Sequence, residues 1–99
     1  MYRMRYTDSP FTDNKDLCRF ELQIEDDFAY INYSRDGQLV SLNHTEVPET
    51  LKGRGVAETL VEKTFRYVEN NELKIVPLCS YIGVFLQRHP EWQKLVAKP

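Results

Sequence analysis

Apolar and polar positions alternate through the first half of the chain and then change period. Cys18, Phe20, Leu22 and Ile24 fall on one face of an extended segment, the pattern of a half-buried strand. Residues 28–33 form a second, aromatic-rich strand carrying Phe28, Tyr30 and Tyr33, which the pattern assigns to the core. Between the two strands, Glu25-Asp26-Asp27 reads as a solvated turn. Asp36-Gly37 supplies the next turn, because this pair readily takes the positive φ angles of tight hairpins. A third strand follows over residues 39–47. Strict alternation puts Val40, Leu42, His44 and Glu46 on one of its faces and Leu39, Ser41, Asn43 and Thr45 on the other. Together these segments make an antiparallel meander. The polar residues 1–14, broken by Pro10, read as an irregular arm.

Beyond Pro48 the spacing lengthens. Val56, Leu60, Val61, Thr64, Phe65 and Val68 recur at the interval of an amphipathic helix spanning about residues 55–69, with Asn70-Asn71 as a left-handed stop. Residues 73–78 are long enough only for a short buried strand. A second helix begins near Ser80 and ends before Pro90, since the residue preceding proline disfavours helical geometry. Trp92, Leu95 and Val96 dock the tail on the body. A strand, a helix and a further strand imply a parallel crossover. The expected architecture is therefore α+β: one domain over residues 1–99 with a mixed, mainly antiparallel sheet of about four strands and two main helices.

Composition narrows the function classes. Thirteen basic and fifteen acidic residues give a net charge of −2, which argues against nucleic acid as the main partner. Cys18 and Cys79 have neither the number nor the spacing of a disulfide framework or a metal site. With no apolar run near membrane-spanning length and no leader-like segment, the expected setting is cytoplasmic and away from the membrane.

The chemistry concentrates at Lys52-Gly53-Arg54-Gly55-Val56-Ala57, where a strand runs through a glycine pair into a helix. The first turn of any helix leaves backbone N–H groups unpartnered, and these, with the helix dipole, favour an anion. No Ser, Asp or Asn stands in residues 51–55 to cap those donors, and Lys52 and Arg54 add positive charge. Glycine-x-glycine alone equally describes a loop whose amides face water. The spacing matches neither a Walker loop nor a dinucleotide fingerprint.

Residues 47–61 resemble motif A of the GNAT superfamily of N-acetyltransferases, which is Arg/Gln-x-x-Gly-x-Gly/Ala at the start of a helix after a long strand. Lys52, Gly55 and Ala57 take the signature positions, with lysine in place of the usual arginine or glutamine. The segments His44-Thr45-Glu46-Val47-Pro48, Leu73 through Tyr81, and Arg88-His89-Pro90-Glu91 extend the likeness to the small stand-alone GNAT-like proteins, over about residues 28–96. The resemblance implies binding of acetyl-coenzyme A (acetyl-CoA). Its pyrophosphate would lie on the amides of residues 53–57, beside Lys52, Arg54 and Val56, and its pantetheine arm along the third strand near Val47. The resemblance also implies an amine acceptor of unspecified identity.

Acetyl transfer to an amine needs a proton acceptor for the amine and a donor for the departing thiolate, or a cysteine that carries the acetyl group in between. His44 and Cys79, at the ends of the third and fourth strands, are the candidates if those strands are neighbours. The small GNAT-like proteins have a His and a Cys matching both near the thioester. Tyr81, on the second helix, is the candidate thiolate proton donor. Cys79 as a plain core thiol and His44 as a structural histidine are the plainer alternatives, and His89 reads as structural. Three functional readings stand side by side: an acyltransferase, a non-catalytic coenzyme-A-binding module acting through a protein partner, and an interaction domain with a vestigial loop. The exposed edge of so small a sheet is compatible with a monomer or a weak homodimer.

Overall fold

The computed structural model describes Tyr6 and residues 8–98. Of the arm expected over residues 1–14, positions 1–5 and 7 lie outside the described residues. Its end is not irregular: Phe11–Asn14 is a strand, β1, paired antiparallel with β2 (Arg19–Ile24). Alternation over four residues, only one of them a large hydrophobe, offers no period to read, and pairing with a neighbour overrides so weak a local pattern. The sheet continues with β3 (Asp27–Asp36), β4 (Leu39–Glu46) and β5 (Lys74–Pro77), in spatial order β1-β2-β3-β4-β5. Among the named strand pairs of the described residues, β4–β5 is the parallel one, as the crossover requires. The crossover is helix α1 (Val56–Asn70), entered through a 3-10 turn at Glu49–Leu51. Helix α2 (Ser80–Arg88) and a 3-10 helix (Pro90–Leu95) complete the fold.

The apolar stripe of α1 is buried as its spacing predicts. Val56, Leu60, Val61, Phe65 and Val68 are at most 1% exposed. Each such burial contributes about 1.5–3 kcal/mol. They meet Phe20, Leu22, Ala29, Ile31, Val40, Leu42 and Ile75 from the sheet and Ile82 and Phe85 from α2 in one core. Phe65 fixes the junction of the helical layer, its ring edge-on to Phe85 at 5.6 Å and to Trp92 at 5.7 Å. Trp92 and Leu95 are buried, and Val96 bridges to Ile75, so the tail docks as expected.

The helical layer lies on one face of the sheet, and this corrects the aromatic assignment. Tyr33 is buried on the helical side, stacked on Phe20 at 4.5 Å. Phe28 lies on the other side and is 43% exposed. Tyr30, half-buried, carries the Arg19 guanidinium over its ring at 4.2 Å. Two further local expectations change. The end of α1 is not a left-handed asparagine: Asn71 has φ −101°, and Glu72, at φ +56°, makes the turn. Cys18 leaves the face of Phe20, Leu22 and Ile24; it is exposed at φ +52° in the turn before β2.

Candidate functional site

β4 and β5 run side by side only as far as Leu42, opposite Pro77. The carbonyl of Leu42 accepts the amides of both Leu78 (3.1 Å) and Cys79 (2.9 Å), and there β5 turns away into α2. Beyond Leu42, the pairing of β4 among the described residues is with β3. The two strands therefore open into a V whose mouth holds Cys79 at the start of α2 and the residues that lead into α1.

A bulge at the mouth of the V overturns the expected alternation. Tyr33 stands opposite Leu42 and Asn32 opposite His44, so Asn43 is an extra residue on β4. An extra residue reverses the side-chain parity of the strand beyond it. His44 therefore leaves the face of Val40 and Leu42, and Thr45, opposite the buried Ile31, takes the helical side. The Thr45 hydroxyl lies 3.4 Å from the Cys79 sulfur. The His44 side chain is 61% exposed, its Nε2 3.0 Å from Glu46 Oε1. The bulge thus brings Thr45 to Cys79, not His44, and pairs His44 with Glu46.

The environment of Cys79 favours its thiolate. Burial pushes the thiol up, but the Thr45 hydroxyl and backbone groups of Ile82, Tyr81 and Thr45 outweigh it, and the thiol sits below its ordinary value. As the N-cap residue of α2, Cys79 also lies at the positive end of a helix dipole.

The loop into α1 is open where the sequence predicts. Gly55 is the N-cap, in the left-handed region at φ +78°, and no side chain among the described residues caps the helix. Gly53, at φ +76°, makes the preceding bend. A cleft of about 230 Å³ opens beside this turn, lined by Val47, Leu51, Lys52, Gly53, Gly55, Val56, Ala57, Glu58 and Tyr81. Of the seven residues predicted for the cofactor, six line it. The exception is Arg54, whose guanidinium is 3.4 Å from Glu25 and whose carbonyl accepts the Tyr6 hydroxyl at 3.1 Å. Tyr6 and then Glu25 hold the guanidinium above its ordinary pKa. Lys52 lies in the cleft wall, with its ammonium 3.0 Å from Glu49.

Sequence reasoning missed three groups here. Thr45 depends on the bulge, and alternation cannot reveal a bulge. Glu58, in the first turn of α1, lines this cleft and an adjoining cavity of about 250 Å³ formed with Tyr81, Val84, Phe85, Arg88 and His89. Its signal was its position, since an acidic residue in the first turn complements the dipole. Arg88, in the last turn of α2, brings a cation to the same cavity. His89 lines the same cavity, its ring 4.3 Å from that of Phe85. Among the described residues, no helix is long and apolar enough to cross a membrane.

The matches to known proteins converge on one family. The model of the GCN5-related N-acetyltransferase family matches residues 19–95. Protein NATD1 of Homo sapiens is 35% identical over 65 residues, 65% of this chain and 58% of that protein. Its Danio rerio counterpart is 37% identical over 70 residues, 70% of this chain and 64% of that protein. The chain thus spans roughly three fifths of the length of these relatives. A GCN5-like protein of Staphylococcus aureus solved by NMR superposes with a TM-score of 0.69 at 22% identity, covering 94% of this chain and 92% of that one, a likeness of fold.

Proposed function

The chain belongs to the GCN5-related N-acetyltransferase family, and from that premise we propose that it binds acetyl-coenzyme A at the V between β4 and β5 and passes the acetyl group to an amine through Cys79. The observation that carries this reading is the cleft at the uncapped start of α1. Its amides, Lys52 and the bends at Gly53 and Gly55 suit a pyrophosphate. A Cβ added at Gly53 would meet none of the described residues within 4 Å, so the backbone there stands clear for a ligand to approach. The adjoining cavity of about 250 Å³, with Arg88 in its lining, is the place this reading gives to the rest of the nucleotide. The thioester arm would follow the open stretch of β4 past Val47 toward Cys79.

The chemistry is then a double displacement. The Cys79 thiolate, favoured by Thr45 and the start of α2, attacks the acetyl carbonyl. The carbon–sulfur bond to coenzyme A breaks, and the leaving thiolate takes a proton, for which Tyr81 in the cleft wall is the donor. The acceptor amine attacks acetyl-Cys79, the new carbon–nitrogen bond forms, and the Cys79 thiolate is released. The proton of the attacking amine passes to water, from which Tyr81 regains its own; His44, the base the sequence offered, is turned away from Cys79 by the bulge and paired with Glu46.

Two measurements test this. Acetyl-coenzyme A at millimolar concentration raises the melting temperature, because a ligand of the native state adds to its stability. Intact mass after incubation shows one added acetyl group on the wild type and none on Cys79→Ala. No melting shift refutes binding. Binding without an adduct, and without coenzyme A release across a panel of amines, refutes transfer and leaves a coenzyme-binding module.

A further inference from the structure

The acidic turn between β2 and β3 touches the loop that enters α1. Asp27 Oδ2 accepts the Thr50 hydroxyl at 2.6 Å, and Glu25 Oε1 lies 3.4 Å from the Arg54 guanidinium. From the other side of the sequence, the Tyr6 hydroxyl donates to the Arg54 carbonyl at 3.1 Å. The loop is thus held at two points, Thr50 before its glycines and Arg54 between them, by residues at least 23 positions away in the chain. The Tyr6 contact falls on the backbone between the two left-handed bends: Arg54 stands between Gly53 at φ +76° and Gly55 at φ +78°.

We infer that Asp27, with Tyr6 and Glu25 in support, is a positioning residue for the anion site, clamping the Thr50–Gly55 loop in the curvature that exposes the first amides of α1. The inference rests on the coenzyme reading above. The contacts differ in weight. The Glu25 side chain is 75% exposed, and such an ion pair contributes little. The short bond from Thr50 to a carboxylate is charge-assisted and is the stronger tether. The clamp also changes the part assigned to Arg54. With its guanidinium turned to Glu25 and its carbonyl taken by Tyr6, Arg54 anchors the loop, and Lys52 is the cation of the cleft wall.

The clamp makes a prediction opposite in sign to simple electrostatics. Asp27 and Glu25 are negative groups near a site read as binding a polyanion, so removing their charge on field effects alone tightens binding. If they hold the loop, removing them weakens it. The experiment measures the dissociation constant of coenzyme A by calorimetry, and hydrogen exchange of the residue 53–57 amides in the ligand-free protein, for Asp27→Ala, Thr50→Val and Thr50→Ser. The expected result is about three- to tenfold weaker binding for Asp27→Ala and for Thr50→Val, the effect of one solvent-exposed hydrogen bond. Thr50→Ser, which keeps the hydroxyl, retains wild-type affinity. The double variant Asp27→Ala/Thr50→Val binds no worse than the weaker single one, since both remove the same bond. Loop amides exchange faster in Asp27→Ala, Thr50→Val and the double variant, and at the wild-type rate in Thr50→Ser. Unchanged or tighter binding by Asp27→Ala, with unchanged loop exchange, overturns the clamp. A wild type that fails to bind coenzyme A overturns the functional reading instead, and the exchange data still decide whether the clamp exists.

Discussion

A matched pair of glycine substitutions separates what the loop does for folding from what it does for binding. Gly37, in the β3–β4 hairpin, and Gly53, beside the cleft, both sit in the left-handed region, at φ +61° and +76°. A Cβ at either meets no atom of the described residues within 4 Å, so neither substitution adds a clash. Alanine in this conformation costs roughly 1–2 kcal/mol of backbone strain. Restricting the unfolded chain returns about 0.4–1 kcal/mol. The net loss is about 1 kcal/mol for each, a fall in melting temperature of about 4–8 °C for a domain of this size. Calorimetry with coenzyme A then distinguishes them. Gly37→Ala binds like the wild type, whereas Gly53→Ala puts a methyl group beside the backbone a pyrophosphate must approach and binds at least about tenfold more weakly. Equal affinities for the two variants would refute the placement of the anion at this bend. A Gly53→Ala melting temperature equal to that of wild type would refute the strain itself.

Thr45→Val keeps the shape of the side chain and removes the hydroxyl that favours the Cys79 thiolate. The rate of Cys79 alkylation by iodoacetamide, followed against pH, reaches half its plateau below the pH of a free cysteine in the wild type and shifts upward in the variant. Because the folded value is lowered, the associated stability is present at alkaline pH and is lost as pH falls through that value. Asp13 accepts hydroxyls from Tyr33 (2.6 Å) and Tyr67 (2.8 Å), tying β1 to β3 and α1. Asp13→Ala leaves both without their acceptor and loses about 2 kcal/mol in urea denaturation. Burial, and then Asp13, raise the Tyr33 phenol, so its contribution is complete below the ordinary phenol range and lost as pH rises through the folded value. The alkaline fall in stability is accordingly flatter in Asp13→Ala. Phe65→Ala removes the ring shared by Phe85 and Trp92 and costs about 3–5 kcal/mol, read as a loss of most of the melting temperature margin in calorimetry.

The helices, the mixed sheet and the loop at Lys52 through Ala57 were legible because each rests on a local regularity: a 3.6-residue stripe, an Asp-Gly turn, a helix start without a cap. The illegible parts depend on relations between strands. A single extra residue at Asn43 moves His44 and Thr45 to opposite faces, and the sequence around it carries no mark of the insertion. β1 exists because β2 offers it a partner. Glu25 and Asp27 read as solvated charges until the fold brings Thr50 and Arg54 beside them. Phe28 and Tyr30 follow the right alternation but face the side without helices, a choice that no period within one strand can encode.

The spatial order of the strands repeats their order in the chain. β1 to β4 can therefore zip by successive short-range pairings, while β5 must wait until the fifteen residues of α1 have been laid down and packed. Sequence-distant contacts form late and open early. The β4–β5 seam spans the largest sequence separation in the sheet, so it is expected to close after the meander and its amides to exchange ahead of those between β2, β3 and β4. A molecule lodged between β4 and the start of α1 fastens a join that spans a long stretch of chain, so its arrival should be felt as a slowing of unfolding more than as a speeding of folding.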